Sequence, residues 1–261
     1  MASLTTMPTP FMHLQMAERI RQDERLCGRV RQLVEQEWPA FYLGNIAPDV
    51  NAISADISRK ATHFYNIPPA PDEWGYPDMF SLWPQLALSH ELSPAQAVFV
   101  AAYSIHLMLD VRWFREVLVP YFFEQGEWVD NKERFLVHNV LLTYLDERAF
   151  ATLPQGAGET LAAATPQHWL PFAPDAALVG WQETVAPQLF PGATTRTVEI
   201  YSGRMKISPA EFAAHLEDPA WMDNNLFQRV PVPQVQAMLH DAIGQSIDVI
   251  PPFSGGPPIG P

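Results

Sequence analysis

The sequence predicts an all-α fold: a helical bundle around one long central helix, at about residues 94–119, with additional C-terminal helices. Apolar residues recur at helical spacing in most segments of the chain. Strand alternation is scarce, and its sole candidate, TRTVEIYS at 195–202, also fits a helix. With 261 residues, of which 48% are hydrophobic and 17% charged, the chain is long and apolar enough to bury a sizeable core.

Two helices and a long irregular segment are predicted before the central helix. The helices cover about 13–21 and 25–38, where apolar side chains lie three or four residues apart. From 47 to 78 the chain is rich in Pro, Asn and Asp, which predicts a loop. Structureless connections of that length tend to be functional. A short helix at about 79–87 follows.

The central helix is predicted from its boundaries and its apolar character. Ser93 offers a capping hydroxyl and Pro94 suits the first helical position, and the next proline or glycine is Pro120. The segment is apolar nearly all round, so other helices should enclose it. His106 and Asp110 lie four residues apart and therefore on one face. Burying an imidazole and a carboxylate there is costly unless a partner stabilises them.

After the central helix, the sequence predicts another long helix, a linker and several shorter helices. The long helix covers about 130–146, and the Pro-, Gly- and Ala-rich stretch 150–175 is typical of a linker. The shorter helices are predicted at about 175–189, 209–216, 219–227 and 232–247.

The chain is expected to have three parts. Residues 1–149 form a helical core, and residues 150–249 form a C-terminal helical extension packed on the same bundle. Residues 250–261 form a flexible tail rich in proline and glycine.

Charge and composition exclude several classes of protein. A net charge of −13 argues against a general nucleic-acid-binding surface and against electrostatic docking on anionic membranes. The single cysteine, Cys27, excludes an intramolecular disulfide and a cysteine-based zinc site. No secretory signal is recognisable at the N-terminus, and no uninterrupted apolar run predicts a transmembrane segment. These features favour a cytoplasmic protein.

Four of the eight histidines stand out by their neighbours, namely His13, His63, His106 and His138. Asp49 and His63 belong to the irregular segment, and His106 and Asp110 to the central helix. Neutral imidazoles and carboxylates are the ligands that zinc and similar divalent metals select. Two other interpretations stay open. In one, His106 and Asp110 are a buried hydrogen-bonded pair. In the other, Asp49, His63, His106 and Asp110 hold a closed structural zinc without a position for water.

The order of these residues resembles the zinc-dependent phospholipase C family, whose superfamily includes the clostridial alpha-toxins and the fungal single-strand nucleases. In that family an aspartate after the early helices, a loop histidine and a His-x-x-x-Asp pair on a long central helix bind zinc. Those roles would fall on Asp49, His63, His106 and Asp110, and His13 matches the family's early histidine. The phrases MPTPFMHLQMAERI, GNIAPDV, THFYN and HLMLDVRWFREVLVPYF resemble a branch of bacterial proteins of that family. The matched region is about 7–146.

Two family ligand positions are changed in this chain. Glu116 stands where the family has a histidine six residues after the helix aspartate. The family's His-x-x-x-Glu pair on the next helix becomes His138 with Leu142, and leucine cannot bind a metal. The resemblance therefore implies one zinc on the four residues named above, leaves a second zinc on Glu116 and His138 open, and makes a complete three-zinc centre unexpected.

The resemblance implies a metal-dependent hydrolase of phosphoric esters that uses zinc-activated water. Asp49 would be a metal ligand, a general base, or both at different stages. Arg59 and Lys60, beside the loop histidine, and Arg112, beside the helix aspartate, are the candidates for binding a phosphate.

Alternatives and partners follow from the same features. The main alternative is a non-catalytic metal-binding or structural homologue, and a nuclease is the third choice because it conflicts with the charge of −13. The expected substrate is a small-molecule or lipid phosphoester, without a nucleic-acid partner. A homo-oligomer stays open.

Overall fold

The computed structural model describes residues 7–26, 28–125 and 127–250. Within these ranges the regular structure is helical and contains no strand, which confirms the predicted all-α class. The predicted tail lies outside the described residues except for Ile250, which is buried.

The described residues form thirteen α-helices, which we number in chain order. They are α1 (Pro10–Gln22), α2 (Gly28–Gln36), α3 (Trp38–Gly44), α4 (Arg59–His63), α5 (Tyr76–Leu82), α6 (Pro94–Trp113), α7 (Asn131–Thr152), α8 (Ala157–Ala162), α9 (Asp175–Val185), α10 (Thr197–Met205), α11 (Pro209–Glu217), α12 (Pro219–Trp221) and α13 (Val232–Val249). Short 3-10 helices cover Ala47–Ala52, Pro84–Ala87 and Ala186–Leu189, and π-helical turns cover Phe114–Glu124 and Met222–Phe227.

The central helix, α6, begins where the sequence predicts. The Ser93 hydroxyl accepts the amide of Gln96, and every residue from 97 to 113 is buried. The helix does not end before Pro120, since it continues in π-helical turns to Glu124. The wider turns keep the ring of Pro120 clear of the carbonyl that it would meet in an α-helix, which explains the five additional residues.

The combined helix Pro94–Glu124 is long and apolar enough to cross a membrane, and no other helix of the described residues is. Its most apolar part is entirely buried inside the fold. The core helix of a bundle has the same length and composition.

Helices are present in three segments for which the sequence predicts irregular or ambiguous structure. The segment 47–78 contains a 3-10 helix, α4 and the start of α5, and the linker 150–175 contains α8. The ambiguous stretch 195–202 belongs to α10. Helices of one or two turns show too few apolar repeats to be recognised by their periodicity.

The closest helix packing joins α3 to α6 and depends on a glycine. A Cβ at Gly44 would lie 2.4 Å from the carbonyl oxygen of Phe99 and 2.7 Å from the Cβ of Ala102. A side chain at this position would force the two helices apart. The close approach also brings the next residue, Asn45, against the middle of α6.

The C-terminal segment packs on the first part of the chain. Helix α13 contacts α1 and α6, and α10 and α11 contact α7. The indole of Trp181 on α9 donates to the carbonyl of Ile46 over 2.7 Å. Buried side chains from both segments belong to one hydrophobic core.

A buried carboxylate ties three helices together. Asp146 on α7 accepts hydrogen bonds from the hydroxyls of Thr9, the N-cap of α1, and Thr197, the first residue of α10. Burial raises the pKa of Asp146 to about 6, although both hydrogen bonds oppose the shift. This bridge sets the position of α10 relative to α1.

We expect Asp146→Asn to change how stability depends on pH. Because the folded-state pKa of about 6 exceeds the usual 3.8, the folded protein keeps a proton that the unfolded chain has already lost between those values. The contribution is fully present below about pH 4 and is lost as the pH rises to about 6, which amounts to about 3 kcal/mol. Urea unfolding across this range should show the variant gaining stability relative to wild type. Parallel curves would contradict the assignment.

We expect Gly44→Ala to lower the free energy of unfolding by about 1–3 kcal/mol, because the added methyl overpacks the α3–α6 contact. Gly203→Ala is the matched control, since a Cβ at this helical position meets nothing within 4 Å. The control should be neutral or stabilising by up to about 1 kcal/mol. Equal effects in urea unfolding would show that close approach is not the reason for Gly44.

Candidate metal centre

Five side chains converge on one face of α6 and form two overlapping groups of metal-ligating type. His13, His106 and Asp110 form one group, and Asp49, His63 and His106 form the other. Within each group the nitrogen and oxygen atoms lie within 4.8 Å of one another. The structure thus brings together the four predicted ligands and the early histidine. These residues could hold a metal ion.

The facing atoms of this cluster are too far apart for good hydrogen bonds. Asp110 Oδ1 lies 3.4 Å from His13 Nε2, and Asp110 Oδ2 lies 3.5 Å from His63 Nε2 and 3.7 Å from His106 Nε2. Asp49 Oδ1 lies 3.5 Å from His63 Nε2. All three Nε2 atoms and Asp110 Oδ1 are buried without a hydrogen bond to the described residues. Orphaned polar atoms of this kind are costly, and a coordinated cation would satisfy them together.

Hydrogen bonds outside the cluster turn two imidazoles towards it. His106 Nδ1 lies 2.7 Å from the carbonyl oxygen of Asn45, so it must be the protonated nitrogen. His63 Nδ1 lies 2.9 Å from the Thr62 hydroxyl, which itself donates to the carbonyl of Arg59. Nδ1 therefore donates in His63 as well. In both rings the Nε2 lone pair is left to face the cluster, as in metal-binding histidines.

The local backbone explains how α4 presents His63. Ser58 caps the start of α4 by accepting the amide of Ala61, and Phe64 ends it in the left-handed conformation with a φ of 60°. Gly75, with a φ of 77°, passes so close that a Cβ would lie 2.7 Å from the His63 carbonyl oxygen. A side chain at Gly75 would displace α4 and its histidine.

A cation already approaches the other oxygen of the helix aspartate. Asp110 Oδ2 accepts from the Tyr65 hydroxyl over 2.9 Å and from Arg59 over 3.1 Å. Arg59 also donates to the Tyr65 hydroxyl and lies over its ring. Burial raises the pKa of Tyr65, so the phenol stays protonated and donates. Arg59 is therefore held directly beside the five cluster residues by its hydrogen bonds.

The cluster has the protonation state that metal binding requires. Burial is the main cause that lowers the pKa of His106 to about 3 and lowers that of His63, so both rings are neutral at pH 7. Burial would raise the pKa of Asp49 and Asp110, but the neighbouring imidazoles outweigh it and hold both pKa values below the usual 3.8. Neutral imidazoles and ionised carboxylates are the forms that bind metals.

Asp49 connects the buried cluster to an open cleft. Its side chain is 27% exposed, whereas the other four are almost completely buried. Asp49 and Arg59 line a cleft of about 420 Å³. The other walls come from the start of α1, from α9 and from α10, so the C-terminal segment faces the metal-ligating residues.

Four predicted site residues lie outside the cluster. Arg112 binds Glu116 through two hydrogen bonds of 2.6 and 2.8 Å, and Glu116 is 42% exposed. His138 is buried, and its Nε2 accepts from the indole of Trp113 over 3.2 Å. Glu116 and His138 do not join a ligand group within the described residues, so the geometry gives no support to a second metal on them. Lys60 is exposed and lies outside the cleft lining.

Sequence patterns could not identify several residues of the site. The Asn45 carbonyl is a backbone group without a residue signature, and nothing in the spacing of the sequence links Tyr65 to Asp110. Arg196 and Arg204 line the cleft from a segment that carries no recognisable motif.

Comparison with known proteins does not place the chain in a family. No family model, curated protein or solved structure matches the chain. The chemistry of the site has to be inferred from its own residues.

We expect the protein to bind a divalent metal ion and His106→Ala to weaken this binding by at least about 100-fold, since removing a ligand should cost more than the loss of an outer-shell partner. His138→Ala is the matched control, because it removes an equally buried histidine outside the cluster. Metal content after dialysis should fall in the first variant and stay at the wild-type level in the second. A metal-free wild type, or equal loss in both variants, would contradict the site.

Proposed function

We propose that the protein is a metal-dependent hydrolase of phosphoric esters of phospholipase C type. The observation that carries this proposal is the position of Asp49, which belongs to the ligand cluster and also lines the cleft. A closed structural site would bury all its ligands, whereas a catalytic site needs one side open to water and substrate. The order of the ligands along the chain agrees with the zinc-dependent phospholipase C family.

We propose zinc as the metal. Three imidazoles and two carboxylates offer the mixed nitrogen and oxygen donors that zinc accepts, and the cluster has no thiolate. Calcium and magnesium prefer sites made of oxygen donors. When bound, zinc would polarise a phosphoryl oxygen and acidify its water.

The residues of the chain divide the remaining work. Asp49 is ionised and reaches the cleft, so it can accept a proton from a water molecule there. Arg59 lines the same cleft and carries a permanent positive charge, which suits an oxygen of the phosphoryl group. Tyr65 and Asp110 hold the guanidinium in place through their hydrogen bonds.

A non-catalytic homologue is the second candidate, and one observation favours it. The Arg59–Asp110 ion pair supplies a positive charge to the cluster without any metal. In such a protein the cluster would stabilise the bundle, and the cleft would have no catalytic role.

We expect the zinc-loaded protein to hydrolyse bis(p-nitrophenyl) phosphate. Asp49→Asn should lower kcat/KM by at least about 100-fold, because the variant cannot accept a proton at this position. At saturating zinc the variant should retain its metal, since asparagine keeps a side-chain oxygen at this position and the other four side chains are unchanged. Asp56→Asn is the control, because Asp56 is exposed and lies outside the cleft lining.

The same experiment separates the two candidates. Absence of turnover in zinc-loaded wild type would support the non-catalytic homologue and contradict the hydrolase, whether or not chelation lowers Tm. Turnover that survives Asp49→Asn would contradict the role given to Asp49.

A further inference from the structure

We propose that the cleft binds a second anionic group of the substrate through Arg196 and Arg204. The substrate class is then a soluble phosphoric ester that carries another phosphate or a carboxylate, with an apolar portion between the two charges. This inference rests on the proposed function, because it takes the ester group to bind beside Asp49 and Arg59.

The charge of the cleft is opposite to that of the chain. The sequence has 29 acidic residues against 16 lysines and arginines. The acidic and basic residues that line the cleft are Asp49, Arg59, Arg196 and Arg204, so three are cations and one is an anion. Such a local reversal attracts anions to a protein that otherwise repels them.

Two of these cations have no acidic partner. Arg59 is paired with Asp110, whereas neither Arg196 nor Arg204 forms an ion pair with any other described residue. Arg204 lies over the ring of Tyr201 at 5.3 Å. A guanidinium presents paired N–H donors that match a carboxylate or a phosphate, so both side chains are suited to an incoming anion.

The wall that carries Arg204 is one face of α10. Thr197, Ile200, Tyr201 and Arg204 line the cleft, and their spacing places them on the same side of the helix. The Thr197 hydroxyl binds the buried Asp146, which also accepts from Thr9, a residue of the wall formed by the start of α1. The two walls are therefore fixed relative to each other before a ligand arrives.

The apolar lining of the cleft fits the middle of such a substrate. Ile53 and Ile200 are 44% and 46% exposed, which is unusual for isoleucine, and both line the cleft together with Trp181. They offer contact to a hydrocarbon portion. A soluble ligand is favoured over an anionic bilayer, because the net charge of −13 opposes approach to a negative surface.

The test is equilibrium binding to the zinc-loaded full-length protein, measured by calorimetry with two phosphonates that cannot be hydrolysed. Pentylphosphonate carries one anionic group, and phosphonovalerate has a carboxylate in place of the terminal methyl. We expect wild type to bind phosphonovalerate about 10-fold more tightly, since a charge-assisted hydrogen bond to an exposed guanidinium contributes on this order. Arg196→Gln/Arg204→Gln should reduce this preference to less than about 2-fold, and the ratio of the two affinities is the readout because the loss of positive charge weakens both phosphonates.

Arg148→Gln is the control for the loss of an exposed arginine outside the cleft. Arg148 is exposed and lies over the ring of Tyr144 at 3.5 Å, as Arg204 lies over Tyr201, but it is not part of the cleft lining. The control should keep the full preference. A wild type without preference, a preference that persists in the double variant, or an equal loss in Arg148→Gln would overturn the proposal.

Two features of the experiment separate the second-anion proposal from the hydrolase proposal and from lipid binding. The phosphonates are not hydrolysed, so the ratio of their affinities can be measured whether or not bis(p-nitrophenyl) phosphate is hydrolysed. The binding result can therefore be interpreted even if the hydrolase proposal fails. Sedimentation with phosphatidylglycerol vesicles tests the source of the anion. No binding supports a soluble ligand, and vesicle binding that is lost in the double variant would overturn it in favour of a lipid headgroup.

Discussion

The arrangement of side chains around the central helix is governed by its buried nitrogen and oxygen atoms, because such atoms are costly when they have no hydrogen-bond partner. His106 and Asp110 are fully buried, and each keeps one polar atom without a hydrogen bond to the described residues. Their neighbours do not remove that cost, because the three nearest Nε2 atoms all face a carboxylate at 3.4 Å or more. A cation held between them would satisfy these atoms at once, and the surrounding elements keep them in place.

Much of the fold and part of the site could be predicted from the sequence. The central helix and the His106–Asp110 pair are visible because helical spacing places both side chains on one face. Asp49 and His63 could be joined to them only through a family resemblance, since no spacing rule links a loop to a distant helix. The positions of Arg196 and Arg204 at the cleft could not be predicted, because they arise from the packing of a segment that is distant in the sequence.

The cluster of metal-ligating type and the walls of the cleft come from two different parts of the chain. Residues before 150 supply every ligand of the cluster, whereas α9 and α10 supply walls of the cleft. Asp146 joins these parts, since it lies at the end of the core and accepts hydrogen bonds from Thr9 and Thr197. The charge of the cleft can therefore vary through α10 without any change to the metal-ligating residues.

The uneven exposure of the five cluster residues would also govern how a metal ion enters and leaves the site. Four of them are sealed inside the bundle, and Asp49 alone has appreciable contact with solvent. Without a large opening of the helices, an ion has one route in and out, past Asp49 through the cleft. A molecule that fills the cleft would then slow dissociation of the ion, even if it touched none of the ion's ligands. Occupancy of the cleft and residence time of a bound metal would thereby be coupled by geometry alone.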